Sequence, residues 1–231
     1  MNETVMEMKQ ICIAVDGPAG AGKSSVCKAC AAAWGLVYID TGAMYRSAAL
    51  YAIEQGIPIT QAAIRPHLDD VKIDMQYVDG VQRIYLNGRD VTARIREADV
   101  SRGASDIAVI PAVRVKLVEL QRMLAKNHAV IMDGRDIGTY VLPDADLKIY
   151  LTASVDIRAA RRLAEMTQKG MQGELEQVKR EIEYRDKNDS EREFAPLRRA
   201  ADAVLVDSSD MNFEQVVAHI SALIKSVMGA E

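Results

Sequence analysis

The chain has 231 residues, of which 49% are apolar and 27% charged, and carries a formal net charge of -4 at pH 7. This length and composition support one large α/β domain with a substantial core and exclude a mainly disordered protein. The slight acidic excess, without any long basic run, argues against a dedicated nucleic-acid surface, and no apolar run reaches the roughly 18 residues that span a bilayer.

Residues 1–10 are polar, contain Glu3 and Glu7, and are unlike a secretory signal, so a cytoplasmic location is expected. Residues 10–15 predict a short strand and 23–33 an Ala-rich helix. The apolar run 36–39, bounded by Gly35 and Asp40, is a second strand candidate. Thr41 is then expected to cap a helix running to about residue 55, stopped by Gly56 and Pro58. Residues 71–92 alternate with a period of two and carry Asp79-Gly80 and Asn87-Gly88 at the turns. That is the pattern of antiparallel hairpins, here within an insertion over 60–103. Further on, 112–126, 155–168 and 212–227 read as helices, and 129–132, 147–151 and 203–206 as short buried strands. The charged stretch 166–193, with Gly170 and Gly173, suggests a mobile helical flap more than core. Both departures from the strand–helix alternation also fit surface decoration. The alternation itself predicts a parallel sheet covered on both faces.

The three cysteines, Cys12, Cys27 and Cys30, form no disulfide framework. Cys27 and Cys30 make a Cys-x-x-Cys pair, but no second pair completes a zinc site, and both lie in a predicted helix. They are read as core packing rather than redox chemistry.

The strongest local signal is Gly17-Pro18-Ala19-Gly20-Ala21-Gly22-Lys23-Ser24, which fits G-x-x-x-x-G-K-[ST] between a predicted strand and helix. Glycines let backbone N–H groups turn inward around phosphate oxygens, and the helix N-terminus adds its positive dipole end. Lys23 is placed to reach the β- and γ-phosphates of ATP or GTP, and the Ser24 hydroxyl to ligate Mg²⁺. Asp133 ends the run Ala129-Val130-Ile131-Met132, so a carboxylate at that strand end is the second Mg²⁺ candidate beside Ser24. Asp16, just before the loop, is a weaker alternative, and a plain turn at Asp133-Gly134 also fits.

Phosphoryl transfer needs mainly positioning and positive charge. Arg46, Arg114 and Arg135 fall at element ends, where parallel sheets bind ligands. Arg185 and Arg192 come from the flap, and Arg161 and Arg162 from the helix leading into it. Singly each reads as a solvated surface charge; together they suggest a pocket for more than one phosphate. The three histidines, His67, His128 and His219, lie in no nucleophile or base motif. A phosphate dianion needs no strong general base, so this favours a phosphate acceptor over a hydroxyl.

The phosphate loop, Asp40-Thr41-Gly42-Ala43-Met44-Tyr45-Arg46 and Asp133-Gly134-Arg135-Asp136-Ile137-Gly138-Thr139 together resemble the bacterial cytidylate kinase family. Arg158-Ala159-Ala160-Arg161-Arg162, Tyr184-Arg185-Asp186, Ala195-Pro196-Leu197 and Asp207-Ser208-Ser209 extend the resemblance in order over nearly the whole chain. The resemblance implies a P-loop NTPase fold of three α/β/α layers with a five-stranded parallel sheet, an inserted antiparallel β domain for the nucleoside monophosphate, and a helical lid. The implied limits are core 9–59, 104–155 and 195–231, insertion 60–103 and lid 156–194. The implied reaction is ATP-dependent phosphorylation of CMP, and of dCMP, by a monomer.

By motif match, residues 17–24, Ser25, Arg161 and Arg162 would hold ATP, and Lys23, Arg135, Arg161 and Arg185 would form the catalytic set. Thr41, Arg46 and Arg114 would hold the acceptor phosphate and sugar side. Ser105, Arg135 and Asp136 would read cytosine, and Arg185, Asp189 and Arg192 would hold sugar and phosphate near the lid. Asp136 makes chemical sense, since the cytosine N4 amine donates where uracil accepts. Thr41 departs from the pattern, in which many relatives carry Ser; its methyl bears on how ribose and deoxyribose acceptors compare. Kinases for UMP, dTMP or shikimate are the nearest alternatives. A GTPase-like switch would need an Asn-Lys-x-Asp segment, and Lys187-Asn188-Asp189 has the wrong order. An insertion serving only protein contacts also remains open.

Overall fold

The structure is a computed structural model that describes residues 11–78, 81–168 and 170–229. The leader 1–10 and the Asp79-Gly80 turn lie outside the described residues, as does Gln10 at the start of the first expected strand.

In chain order the strands and helices are β1 (Cys12–Asp16), α1 (Lys23–Trp34), β2 (Val37–Asp40), α2 (Thr41–Glu54), α3 (Gln61–Ile64), β3 (Ile73–Val78), β4 (Val81–Leu86) and β5 (Arg89–Asp90). They continue with α4 (Ala98–Ile107), α5 (Pro111–Lys126), β6 (Val130–Gly134), β7 (Leu147–Thr152), α6 (Val155–Gln168), α7 (Leu175–Glu191), β8 (Val204–Asp207) and α8 (Phe213–Met228). No helix among the described residues is long and apolar enough to cross a membrane.

Five strands form one parallel sheet in the order β2-β6-β1-β7-β8. Their side chains alternate between faces, as the strand period of two requires. Ile13, Val15 and Ile131 join a core with α1 and α8, whereas Ala14, Val130 and Met132 join one with α2, α4 and α5. Three layers result, as expected. Cys27 and Cys30 are buried in the first of these cores, with Cys30 Sγ 3.8 Å from Ser221 Oγ.

The register matters most for function. Asp16 pairs with Gly134, Asp40 with Asp133 and Thr152 with Asp207, so the strands' carboxyl ends lie level. The chain leaves β1 towards β2 on one side and leaves β6 towards β7 on the other. Ligands of open parallel sheets bind at such a reversal.

The expected hairpins form a second, antiparallel sheet in the order β3-β4-β5. Asn87 and Gly88 both have positive φ, 50° and 80°, as a tight hairpin turn between β4 and β5 demands. This sheet does not stand apart: Ile84 and Leu86 share a core with Met44 and Leu50 of α2. It also covers the free edge of β2. The Tyr38 N–H donates to the Tyr77 hydroxyl at 3.2 Å, and the Tyr38 carbonyl accepts from Gln82 Nε2 at 2.7 Å. The expected division at 103/104 falls inside α4, where Gly103 is packed against Ala49 and Ile53 of α2.

One local expectation changes, and one stretch gains detail. The cap of α2 is Asp40, whose carboxylate accepts the Ala43 N–H at 2.8 Å; Thr41 is the first helical residue and its hydroxyl goes elsewhere. The charged stretch 166–193 contains the regular 17-residue helix α7. Val178 and Ile182 of that helix pack with Ala159 of α6 in a small core of their own.

Gly17 follows β1 so close to β7 that a Cβ there would lie 2.0 Å from the Leu151 carbonyl oxygen, at φ 152°. Gly17→Ala is expected to destabilise the protein by about 3 kcal/mol, lowering Tm by roughly 6–12 °C. A thermal melt within 2 °C of wild type (about half a kcal/mol) would contradict this reading of the loop.

Candidate active site

The phosphate loop curls around its own lysine. Lys23, the first residue of α1, is buried and donates from Nζ to the carbonyls of Gly17 and Pro18 at 2.7 and 2.8 Å. Burial, followed by the nearby Arg135 charge, pushes its ammonium pKa down. Ser24 Oγ donates to Asp133 Oδ2 at 2.9 Å, and the Tyr38 hydroxyl donates to Asp133 Oδ1 at 2.8 Å. Burial and then the Asp40 charge push the Asp133 pKa up, against the pull of Lys23 and both hydroxyls. Ser24 and Asp133 are therefore adjacent, as the sequence led us to expect. Ser25 is exposed on the first turn of α1.

Asp16 has a different task from the metal role held open for it. Its two oxygens accept the N–H groups of Ile137 and Gly138, each at 2.7 Å. These bonds fix the start of a π-helical turn, Ile137–Val141, and with it the loop 133–136. Burial raises the Asp16 pKa to about 6 despite the two bonds.

On the far side of this loop, arginines are held by aspartates. Arg46 pairs with Asp40 at 3.1 Å, and its Nε is buried without a partner among the described residues. Arg114 is wholly buried, donates to Asp136 and to the Ala108 carbonyl, and lies 5.6 Å from the ring centroids of both Tyr45 and Phe194. The other Asp136 oxygen accepts from Arg192 at 3.0 Å, while Arg192 Nε holds the Ala195 carbonyl at 2.7 Å. Arg135 donates to Asp189 at 2.7 Å. Burial alone would raise the Asp189 pKa, but the charge and hydrogen bond of Arg135 outweigh it and hold the group low. The Thr41 hydroxyl donates to the Asp133 carbonyl at 2.7 Å.

Arg185 is the exception. Its side chain has no hydrogen bond or ion pair among the described residues, and its Nε is buried and unpartnered. Burial, then Arg135, and more weakly Arg46 and Arg162 push its pKa down to about 10, so it stays charged at neutral pH. Four guanidinium groups thus act on one another; three are paired with carboxylates, and Asp189 offsets only part of the repulsion on Arg185. Beside them a cleft of about 330 Å³ is lined by Ser105 of α4 and by Tyr184, Asn188 and Arg192.

Arg161, expected in the catalytic set, is not brought to this cluster. Its guanidinium donates to the Ser208 hydroxyl at 3.0 Å and to the Ser208 and Met211 carbonyls at 2.6 and 3.1 Å, after β8. Arg162 pairs with Glu165 at 3.3 Å while remaining within the field of Arg185. Three residues with roles in the site's geometry are not singled out by the sequence: Tyr38, Arg158 and Asp186. The last two stand inside the family-like runs, which was the available signal; Tyr38 had none beyond its place in a strand.

Comparison with known proteins agrees with the residues. A family model for cytidylate kinase matches residues 13–226. The cytidylate kinase of Caldicellulosiruptor bescii is 48% identical over 225 residues, covering 97% of this chain and 100% of that protein. Those of Lactobacillus gasseri (45% over 214 residues, 92% and 93% covered) and Bacillus cytotoxicus (46% over 221 residues, 95% and 98% covered) are similar.

Removing the Asp136 carboxylate strands two buried guanidinium groups. Asp136→Ala should therefore cost about 3–5 kcal/mol of stability, and Arg114→Met in the same chain should restore part of it. Equilibrium denaturation of the two single variants and the double variant checks this; additive losses would refute the pairing.

Proposed function

The chain belongs to the cytidylate kinase family, and we infer that it works as one, transferring the terminal phosphoryl group of ATP to CMP to give CDP and ADP. Arg185 carries this reading, because an unpaired arginine among other arginines, beside a phosphate loop, suits the meeting of two polyanions. Both substrates bring phosphate charge, and transfer requires their oxygens to approach in line.

Lys23 and the inward N–H groups of residues 20–24 take the β- and γ-phosphates, Lys23 exchanging its two loop carbonyls for phosphate oxygens. Thr41 and Arg46 face the acceptor phosphate, and Arg135 and Arg185 lie between the two anions and cancel their repulsion. Asp136 reads cytosine. Arg114 and Arg192 occupy one position on each of its oxygens, and an ionised carboxylate has about four lone-pair sites. The remaining sites accept the N4 amine, whereas uracil would present an acceptor to an acceptor. Ser105 shares a cleft with Arg192, the partner of Asp136, and Asp189 orients Arg135. We propose dCMP as a second acceptor, since it presents the same phosphate and cytosine to these groups.

Mg²⁺ fits the Ser24–Asp133 pair, a hydroxyl and a buried carboxylate 2.9 Å apart, which are the hard oxygen donors that ion takes. When bound it supplies positive charge at the β- and γ-phosphates. No histidine enters the scheme: His67 lies by Asp70, the His128 ring by the Leu124 carbonyl, and His219 is exposed. An acceptor phosphate dianion requires no strong base. We further propose that β3–β5 with the segment 60–103 form the acceptor-side domain. The lid is 156–194, whose separate small core lets it close over the substrates and exclude water.

Coupled ADP release with CMP, dCMP, UMP and AMP tests the acceptor. CMP and dCMP should exceed UMP and AMP in kcat/KM by about 100-fold or more, the size of a mismatched buried hydrogen bond. Asp136→Asn should lower kcat/KM for CMP by about 100-fold and leave KM for ATP within about threefold. Equal losses for both substrates would sink the base-reading role.

A further inference from the structure

Arg158 and Asp186 meet on the phosphate loop, and neither has a part in the chemistry above. Arg158 is the fourth residue of α6, and Asp186 lies past the middle of α7. The two side chains close a ring around the backbone of one residue, Ala19. The Ala19 N–H donates to Asp186 Oδ1 at 2.9 Å, and the Ala19 carbonyl accepts from Arg158 Nη1 at 2.8 Å. The same Arg158 nitrogen donates to Asp186 Oδ2 at 2.6 Å, and Arg158 Nε holds the Ala153 carbonyl, just after β7, at 2.9 Å. The Arg158 side chain is 5% exposed and that of Asp186 19%. Ala19 therefore has both its backbone polar groups committed to α6 and α7, leaving phosphate to the loop's other N–H groups.

The second observation lies along the same helix. Asp189, one turn beyond Asp186 and on the same face of α7, grips Arg135, and Arg192 just past the helix end grips Asp136. Arg185 precedes Asp186 directly. One rigid helix therefore contacts the phosphate loop through Asp186 and the acceptor side through Asp189 and Arg192. Gly20 lies under the same pair of helices, since a Cβ there would meet Arg158 Cβ at 3.3 Å and Ile182 Cδ1 at 3.4 Å.

We propose that the Arg158–Asp186 ring is a positioning device that couples the two substrate sites. It locks Ala19 to α7, so that a triphosphate seated on the loop sets Arg185, Asp189 and Arg192 for the acceptor. By reciprocity the acceptor tightens the loop on the triphosphate. The inference rests on the CMP kinase reading but goes beyond it, because neither residue touches substrate.

The test is the coupling itself. Calorimetry gives the Kd of CMP with and without a saturating non-hydrolysable ATP analogue, for wild type, Asp186→Asn and Arg158→Lys. Asn keeps an oxygen for the Ala19 N–H but loses the charge facing Arg158, while Lys keeps the charge but cannot span Ala19, Asp186 and Ala153 together. In wild type the analogue should tighten CMP binding by about fivefold or more, within the usual range of coupling. In the variants this factor should fall below about twofold, and kcat at least about tenfold, with each single-substrate Kd within about threefold of wild type. If Asp186→Asn does not fold, the pair Arg158→Met/Asp186→Leu, which removes both buried charges together, takes its place in the same titrations. A coupling factor unchanged in folded variants, or absent from a wild type that turns over CMP, overturns the proposal. A wild type that does not turn over CMP would instead overturn the functional reading.

Discussion

Cations can be gathered at one place in a protein only if something holds them against their mutual repulsion. At 4 Å two like charges repel by about 4 kcal/mol even at an effective dielectric of 20. All of the arginines gathered here but Arg185 answer that problem with a carboxylate: Arg46 with Asp40, Arg114 and Arg192 with Asp136, Arg135 with Asp189, Arg158 with Asp186 and Arg162 with Glu165. These buried or half-buried pairs contribute little net stability, because desolvation offsets most of their attraction. What they fix is direction. A guanidinium with one edge on an aspartate has its other edge aimed, as Arg114 is at the Ala108 carbonyl, Arg158 at those of Ala19 and Ala153 and Arg192 at that of Ala195, whereas Arg185 has no such partner among the described residues.

The parallel sheet supplies the aspartates' positions. Because β1, β2 and β6 end level, Asp16, Asp40 and Asp133 lie side by side at one edge. Three adjacent carboxylates there would repel one another, and the structure divides their work. Asp40 caps α2 and holds Arg46, Asp133 collects the hydroxyls of Ser24 and Tyr38, and Asp16 turns to backbone N–H groups at the π turn. Burial is the main cause of the raised pKa values of Asp16 and Asp133, with Asp136 adding to it at Asp16 and Asp40 at Asp133. The π turn follows Asp136 directly, so the bonds from Asp16 also set where the Asp136 carboxylate projects.

This division explains what was legible in the sequence. The phosphate loop and the alternation of strands with helices depend on local conformation and periodicity, and both are visible in linear order. The adjacency of Ser24 and Asp133 was legible too, because each terminates an element of known direction. Which acceptor wins a given donor was not legible. Asp40 and Thr41 are both good capping residues; the cap fell to Asp40 because the Thr41 hydroxyl reaches the Asp133 carbonyl across the neighbouring strand. Arg161 and Arg158 differ by three positions on one helix, yet one faces the turn after β8 and the other the phosphate loop. Choices of that kind depend on pairings between residues far apart in sequence, 139 positions for Arg158 and Ala19, and no local pattern encodes them.

The same logic governs the two appendages. The antiparallel sheet shares an apolar core with α2, and α6 with α7 has a small core of its own, so apolar packing holds each together. Beyond that packing, hydrogen bonds tie each to the phosphate loop. The sheet does so by Tyr77 and Gln82 on the Tyr38 backbone, whose side chain then binds Asp133. Helix α7 does so by Asp186 on Ala19. Hydrogen bonds of fixed direction tolerate far less displacement than apolar contact. A shift of either appendage is therefore felt at the loop, on the Asp133 carboxylate from one flank and on the Ala19 backbone from the other. An enzyme that must avoid transferring phosphate to water gains from such wiring, since the loop is fully set only when both flanks are seated.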